Sequence, residues 1–323
     1  MILARVALLS GITMFMWQGA APGAAPGAER VVEGRVVRPM PVGAALAPVG
    51  GAWVVLHRVG SDTARPLDSV RTRADGGYRI AYRAFGVADA IYFVAVRHDG
   101  VAYFSAPLRS ARVTGADAEL TVFDTASDGE PLRERGRHVI VFAPAAGARK
   151  VVEVYELENT GRTTRVSAGD GQPVWRAAIP DAASAFHAGE GDISAAAISG
   201  GAGKAEVFAP FAPGIKQVSF TYSLPSEAFP LALPPSSDSL VLEVLLEEAG
   251  AVAAGAGLHR ADSVTVDGHH LSRWLAPNAP KNAVVTITGG RHASPMVYAV
   301  AGLVIVIAGA MLVALIAALK RNG

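Results

Sequence analysis

The feature that most constrains this chain is a run of 24 residues, 296 to 319, without one charged side chain. Val, Ile, Leu, Ala and Gly fill it, and it lacks the polar stripe that a soluble core helix presents to water. A helix rising about 1.5 Å per residue reaches roughly 36 Å over that length, enough to cross a hydrocarbon core of about 30 Å with some tilt. Tyr298 stands where an interfacial aromatic would, and Lys320 and Arg321 follow at once. A basic stub, residues 320–323, therefore predicts a cytoplasmic end under the positive-inside rule. Within the span, Ala310 and Ala314 are four residues apart and Gly302 and Gly309 seven apart. Small residues at such spacings let helices approach closely, so these four are candidate packing positions, weighed against the plain abundance of small residues here.

The other end agrees. Arg5 precedes an apolar run from Val6 to Trp17, and small residues follow through Ala28. A dozen apolar residues after one positive charge, too short to span comfortably, is the shape of a secretory signal, expected over 1–28. Both ends together predict a single-pass protein of the cytoplasmic membrane whose bulk is periplasmic or extracellular. Formal net charge is +1 with acids and bases interspersed, so nothing resembles a phosphate-binding block and nucleic acid is not expected as a partner. There is no cysteine, which excludes disulfides, thiolate metal sites and thiol catalysis.

From 29 to 124 the chain reads as short strands between turns. Tyr78, Ile80 and Tyr82 fall on one face against Arg79 and Arg83, and His98-Asp99-Gly100 separates two β-rich runs. Three segments carry a resemblance: Val32-Glu33-Gly34-Arg35-Val36, Gly51-Ala52-Trp53-Val54-Val55-Leu56, and Thr72-Arg73-Ala74-Asp75-Gly76-Gly77-Tyr78-Arg79-Ile80. Together they resemble the carboxypeptidase regulatory-like domain. That resemblance implies a transthyretin-like seven-stranded sandwich, with the third segment as a hairpin, and it implies no active site. It covers under a third of the chain.

Residues 125–137 hold six charged side chains and read as a linker. Beyond it, 138–290 reads as a second β-sandwich. In 216–223, Val218, Phe220 and Tyr222 alternate with Gln217, Ser219 and Thr221. The run 249–258 contains Gly250, Gly255 and Gly257 and is expected to be a loop, since each glycine costs a helix about 1 kcal/mol. The expected fold class is thus all-β: two tandem β-sandwich domains, a signal peptide and one C-terminal transmembrane helix.

Catalytic patterns are weak. His269 and His270 stand beside Asp267; strand neighbours point to opposite faces, the Asp267-Gly268 turn could bring them together, but neither His-x-His nor a helical His-x-x-x-His occurs. Neither Gly-x-Ser-x-Gly nor a P-loop occurs; 199–204 is glycine-rich with the wrong spacing. Acids at 153, 156 and 158 read as the solvent face of a strand. Trp175, Phe208, Phe211, Phe220, Tyr222, Phe229 and Trp274 could line a ligand face or fill the core. We take Phe211, Trp175, Trp274, His269 and His270 as candidate partner-facing residues. No catalytic residue, metal or cofactor is expected. The expected function is a non-enzymatic interaction or structural module of the cell envelope, with a protein or glycan partner. The alternatives are a membrane-tethered hydrolase or metal enzyme with a dispersed site, and an accessory subunit of a secretion or export complex.

Overall fold

The computed structural model describes residues 27–290, apart from 41, 42, 44, 202, 235–238, 256 and 281–283. The signal segment and the 296–319 span, with Gly302, Gly309, Ala310 and Ala314, lie outside the described residues. Among those described, no helix is long and apolar enough to cross a membrane. The structure is all-β, interrupted only by short 3₁₀ turns, and its contacts divide it into two units that part between Val122 and Phe123.

The first unit contains β1 (Glu29–Pro39), β2 (Leu46–Pro48), β3 (Trp53–Val59), β4 (Ala64–Arg71), β5 (Gly77–Arg83), β6 (Ile91–His98), β7 (Val101–Phe104), β8 (Arg112–Thr114) and β9 (Leu120–Thr121). One sheet is built on β1, which pairs antiparallel with β2 and β5 and parallel with β8 and β9. The other runs β4-β3-β6-β7, antiparallel throughout. The alternation of Tyr78, Ile80 and Tyr82 holds: all three are buried, and Tyr82 stacks on Tyr92 of the other sheet at 5.2 Å.

Two glycines of the quoted segments are required by the backbone. A Cβ on Gly34 would meet the Ala118 carbonyl oxygen at 1.9 Å, so only glycine fits there. Gly76 has φ +75 and closes the turn that begins at Arg73. That turn departs from expectation. It is not a hairpin between paired strands, because β4 belongs to one sheet and β5 to the other, so the chain crosses between layers there. The tight hairpin lies at β6–β7 instead, where Asp99 and Gly100 both have positive φ between the paired His98 and Val101. Left-handed backbone at both central residues is what a two-residue type I′ turn requires.

The second unit contains β10 (Thr125–Ala126), β11 (Arg133–Val141), β12 (Ala148–Asn159), β13 (Thr164–Arg165), β14 (Trp175–Ala178), β15 (Ser184–Ala188), β16 (Ile198–Gly201), β17 (Lys204–Val207), β18 (Gly214–Pro225), β19 (Leu231–Leu233), β20 (Ser239–Leu246), β21 (Val252–Gly255), β22 (His259–Val266), β23 (His269–Ala279) and β24 (Val285–Thr288). A seven-stranded sheet, β15-β18-β12-β11-β20-β23-β22, is antiparallel except where β11 meets β20. Two three-stranded sheets, β14-β17-β16 and β19-β24-β21, contribute to the same apolar core. Val218, Phe220 and Tyr222 of β18 are buried in it, as their spacing predicts.

Two readings of this half need correction. Residues 133–137, expected within a linker, form the start of β11. A bulge between Glu134 and Gly136 divides their charges: Arg135 reaches Glu158 at 3.4 Å on the half-exposed side, while Arg137 turns inward to Glu153. The run 249–258 is not all loop. Gly250 and Gly255, both at positive φ, bracket β21, which pairs with β24. The glycine-rich segment at 199–204 is the β16–β17 hairpin, turning through Gly203 at φ +77.

Candidate functional site

The two most exposed large apolar side chains described in the first unit, Phe104 and Trp53, share one sheet face. Alternation along β3 sends Val54, Leu56 and Arg58 inward and Trp53, Val55, His57 and Val59 outward. Trp53 is 51% exposed, Ile91 48% and Phe104 62%, values far above those of ordinary core side chains. Register assembles these residues: His57 sits opposite Phe93, Val59 opposite Ile91, and Ala95 opposite Phe104. His57 and Phe93 stack at 5.2 Å and 8° between planes; Phe104 meets Phe93 edge-on at 5.8 Å. The Arg71 guanidinium lies over the Trp53 ring at 4.9 Å. The rings therefore cover one another's faces and leave a ridged apolar surface.

What holds this face rigid is the inward residue between them. Arg58 is fully buried, and its guanidinium ties two loops together. It donates to the carbonyls of Phe85 and Thr63, both at 3.1 Å, and forks onto the Asp62 carboxylate at 2.8 and 2.9 Å. That charge-assisted fork holds the Asp62 carboxyl below its ordinary range. Thr72 does similar work at the other end of β3. Its hydroxyl accepts from Ala52 N at 2.9 Å and donates to the Val49 carbonyl at 2.7 Å.

The second unit handles polar groups differently. Glu153 is fully buried and accepts hydrogen bonds from Tyr155 Oη and Tyr222 Oη at 2.7 Å each and from Arg137 Nε at 3.0 Å. Arg137 also donates to the Pro234 carbonyl at 2.9 Å. Burial works against the Arg137 charge, but the Glu153 carboxylate outweighs it and holds the guanidinium firmly protonated. Burial pushes both tyrosine hydroxyls well above their ordinary range. These tyrosines stay neutral donors. The reading of Glu153 as a solvent-facing acid is thus overturned. A second buried pair joins Arg149 to Glu248 at 2.8 Å beneath the Phe229 ring.

The outward face of the seven-stranded sheet holds carboxylate–histidine pairs. His138 Nδ1 lies 2.6 Å from Glu243 Oε2, and Arg273 Nε donates to the other oxygen of that carboxylate. His269 Nδ1 lies 2.6 Å from Glu247 Oε1, whose partner oxygen accepts from Ala143 N at 2.8 Å. These bonds, led by the histidine in each case, hold Glu243 and Glu247 below the ordinary carboxylate range. Among the described residues, no group of three or more His, Asp or Glu side chains is placed to share a metal ion.

The candidate partner-facing residues fare unequally. Phe211 is fully buried and Trp274 nearly so, both within the second core; their apolar area is used for packing and is not offered to a partner. Trp175 is half-buried and meets Tyr155 edge-on at 4.8 Å. His269 is exposed but engaged with Glu247 and the edge of Phe142, and His270, its strand neighbour, is exposed as well. The structure brings none of the five into a common site. The residues that sequence reasoning missed are Trp53, His57, Phe93 and Phe104. Their signal was present in β3, where apolar residues occupy both parities and the arginine falls on one of them; the choice of inward face is not readable from that pattern.

No family model matches the chain, and no curated relative does. Solved structures resemble it only loosely. An M1 zinc metallopeptidase from Deinococcus radiodurans aligns over 49% of this chain and 42% of its own, at 13% identity and TM-score 0.31. A DUF3823 family protein from Parabacteroides merdae aligns over 82% of this chain and 100% of its own, at 10% identity and TM-score 0.23. The chain spans well under two thirds of the metallopeptidase. Likenesses this loose carry no argument about activity.

Proposed function

We propose that this chain is an exported protein, tethered to the cytoplasmic membrane by residues 296–319, whose β-rich body acts outside the cytoplasm as a non-enzymatic interaction module. The first unit, read as a carboxypeptidase regulatory-like sandwich on its three quoted segments, supplies the partner surface. The observation that carries this reading is the apolar face of β3, β6 and β7, with Trp53, Ile91 and Phe104 each about half exposed or more. Contiguous exposed apolar surface is costly in water and marks interaction sites. The rings lean on one another, which favours a broad protein contact over sugar stacking on an open ring. The second unit serves as the rigid body beneath the tether.

Two experiments test it. Protease added outside the cytoplasmic membrane of intact spheroplasts should digest the body and leave a small C-terminal fragment; a fully protected body sinks the topology. A photo-crosslinking amino acid at His57, in cells expressing the full chain, should yield a discrete protein adduct that Trp53→Ser abolishes. Adducts unchanged by Trp53→Ser would remove the face from the proposal.

A further inference from the structure

The same sheet ends in an edge that is unusually open. β7 is the last strand of the order β4-β3-β6-β7 and, among the described residues, pairs with β6 alone; β9 of the facing sheet approaches it without pairing. The opposite edge, β4, carries Arg65, Pro66, Asp68 and Arg71 and is broken by a bulge at Leu56/His57. The β5 edge carries Arg79 and Arg83. In the second unit, both edges of the seven-stranded sheet, β15 and β22, are interrupted by register shifts. Charges, proline and bulges are the means by which sheets discourage pairing at their edges. β7 is short, at four residues, but it carries no charge, proline or bulge: it reads Val-Ala-Tyr-Phe and runs in unbroken register.

The direction of its backbone groups follows from the hairpin. Two-residue closure makes His98 and Val101 a hydrogen-bonded pair, and Ser105 N donates to the Val94 carbonyl at 2.9 Å. Antiparallel pairs alternate, so the intervening Ala102 and Phe104 are the residues whose N–H and C=O point away from β6. Four backbone groups are thus presented outward, beside the exposed apolar face.

We propose that β7 takes up an extended peptide strand from a partner protein by edge pairing, with an acidic residue beside Ala102 and an apolar residue beside Phe104. This rests on the reading of the adjoining face as a partner surface and names what that partner offers. The specificity comes from the rows of the sheet. Arg97 lies opposite Ala102, and it is exposed with no described acid paired to it. Ala102 is too small to block it, so the guanidinium reaches across to the side chain of the incoming strand, where a carboxylate fits. In the next row, Phe104 extends the apolar surface of Phe93 towards the incoming residue. For an antiparallel strand this order reads apolar-x-acidic, with main-chain bonds giving affinity and alternate side chains giving choice.

The test uses the full chain in mild detergent and a fluorescent nonapeptide, Thr-Val-Thr-Phe-Thr-Glu-Thr-Val-Thr, followed by anisotropy. Ala102→Pro removes the outward N–H without touching a bond to β6, a position where an edge strand tolerates proline. Hydrogen exchange of β6 checks that the hairpin persists. Ala102→Pro is expected to weaken binding about tenfold. Arg97→Glu is expected to weaken it about threefold, with the Glu-to-Lys peptide restoring affinity. Binding that Ala102→Pro leaves intact but Trp53→Ser destroys overturns the edge proposal and spares the face. Binding indifferent to both variants, or no binding at all, overturns the proposal. So does a chain that ignores the peptide yet sediments as a dimer that Ala102→Pro dissolves, which would make a second copy the occupant.

Discussion

The two units use the same alternation of strands, and both take arginine inward, but they place their largest aromatics differently. In the first, a strand sends its arginine inward and its tryptophan outward. Arg58 then binds two carbonyls and Asp62, while Trp53, Phe93 and Phe104 are left at the surface. In the second, the large aromatics Phe211, Phe220, Tyr222 and Trp274 go inside, and the charge taken inside with them is neutralised by Glu153 and Arg137. The lesson is that burial of a charge is governed by its partners, not its polarity. A guanidinium with carbonyls and a carboxylate in reach is tolerated inside, and the apolar side chains on the other parity of its strand become available for contact with another molecule.

The comparison breaks first if the second unit does not depend on its ionic core. Glu153→Ala should cost about 3–5 kcal/mol by leaving the Arg137 charge buried without its carboxylate. Replacing Arg137, Glu153 and the neighbouring buried Glu134 together by methionine, with both tyrosines changed to phenylalanine, should be far closer to neutral, because the charges of this cluster leave together. Urea unfolding, with hydrogen exchange to assign the loss to β11, β12 and β18, measures both. Phe211→Ala should cost a similar 3–5 kcal/mol by opening a cavity, whereas an exposed docking residue would cost little.

A step smaller, Thr72→Val should destabilise the first unit by about 1–3 kcal/mol, because Ala52 N loses its acceptor beneath the β3 face. The pH response then separates the units more finely. Asp62 is depressed by Arg58 in the first, and Glu243 and Glu247 by histidines in the second. A carboxyl depressed on folding adds stability that is present above its unfolded value, about pH 4, and lost as pH falls through the lower folded value. Unfolding free energy should therefore drop below about pH 4, and Asp62→Asn should flatten only the first unit's share. The smallest effect is the most telling. Phe104→Ser should change stability by no more than about 0.5 kcal/mol while reducing partner adducts, since a side chain 62% exposed contributes little to its own fold.

By itself the sequence determined the class of the fold and much of its local detail. Period-two runs made strands of residues 78–83 and 216–223 with the correct faces inward, because there every large apolar residue shares one parity. Asp99-Gly100 had to turn, because the backbone there is left-handed at two successive residues. Tertiary structure decided the rest, and for one recurring reason: a charged or ambiguous segment takes its place from partners far away in sequence. Residues 133–137 became strand because Glu158 and Glu153 lie across from them on β12. Glu153 went inside because Tyr222, 69 residues later, brings it a hydroxyl. Trp53 went outside because Arg58, on the other parity of the same strand, found Phe85 and Asp62. Alternation supplies two faces to every strand; which one meets water is settled only when the partner strands arrive.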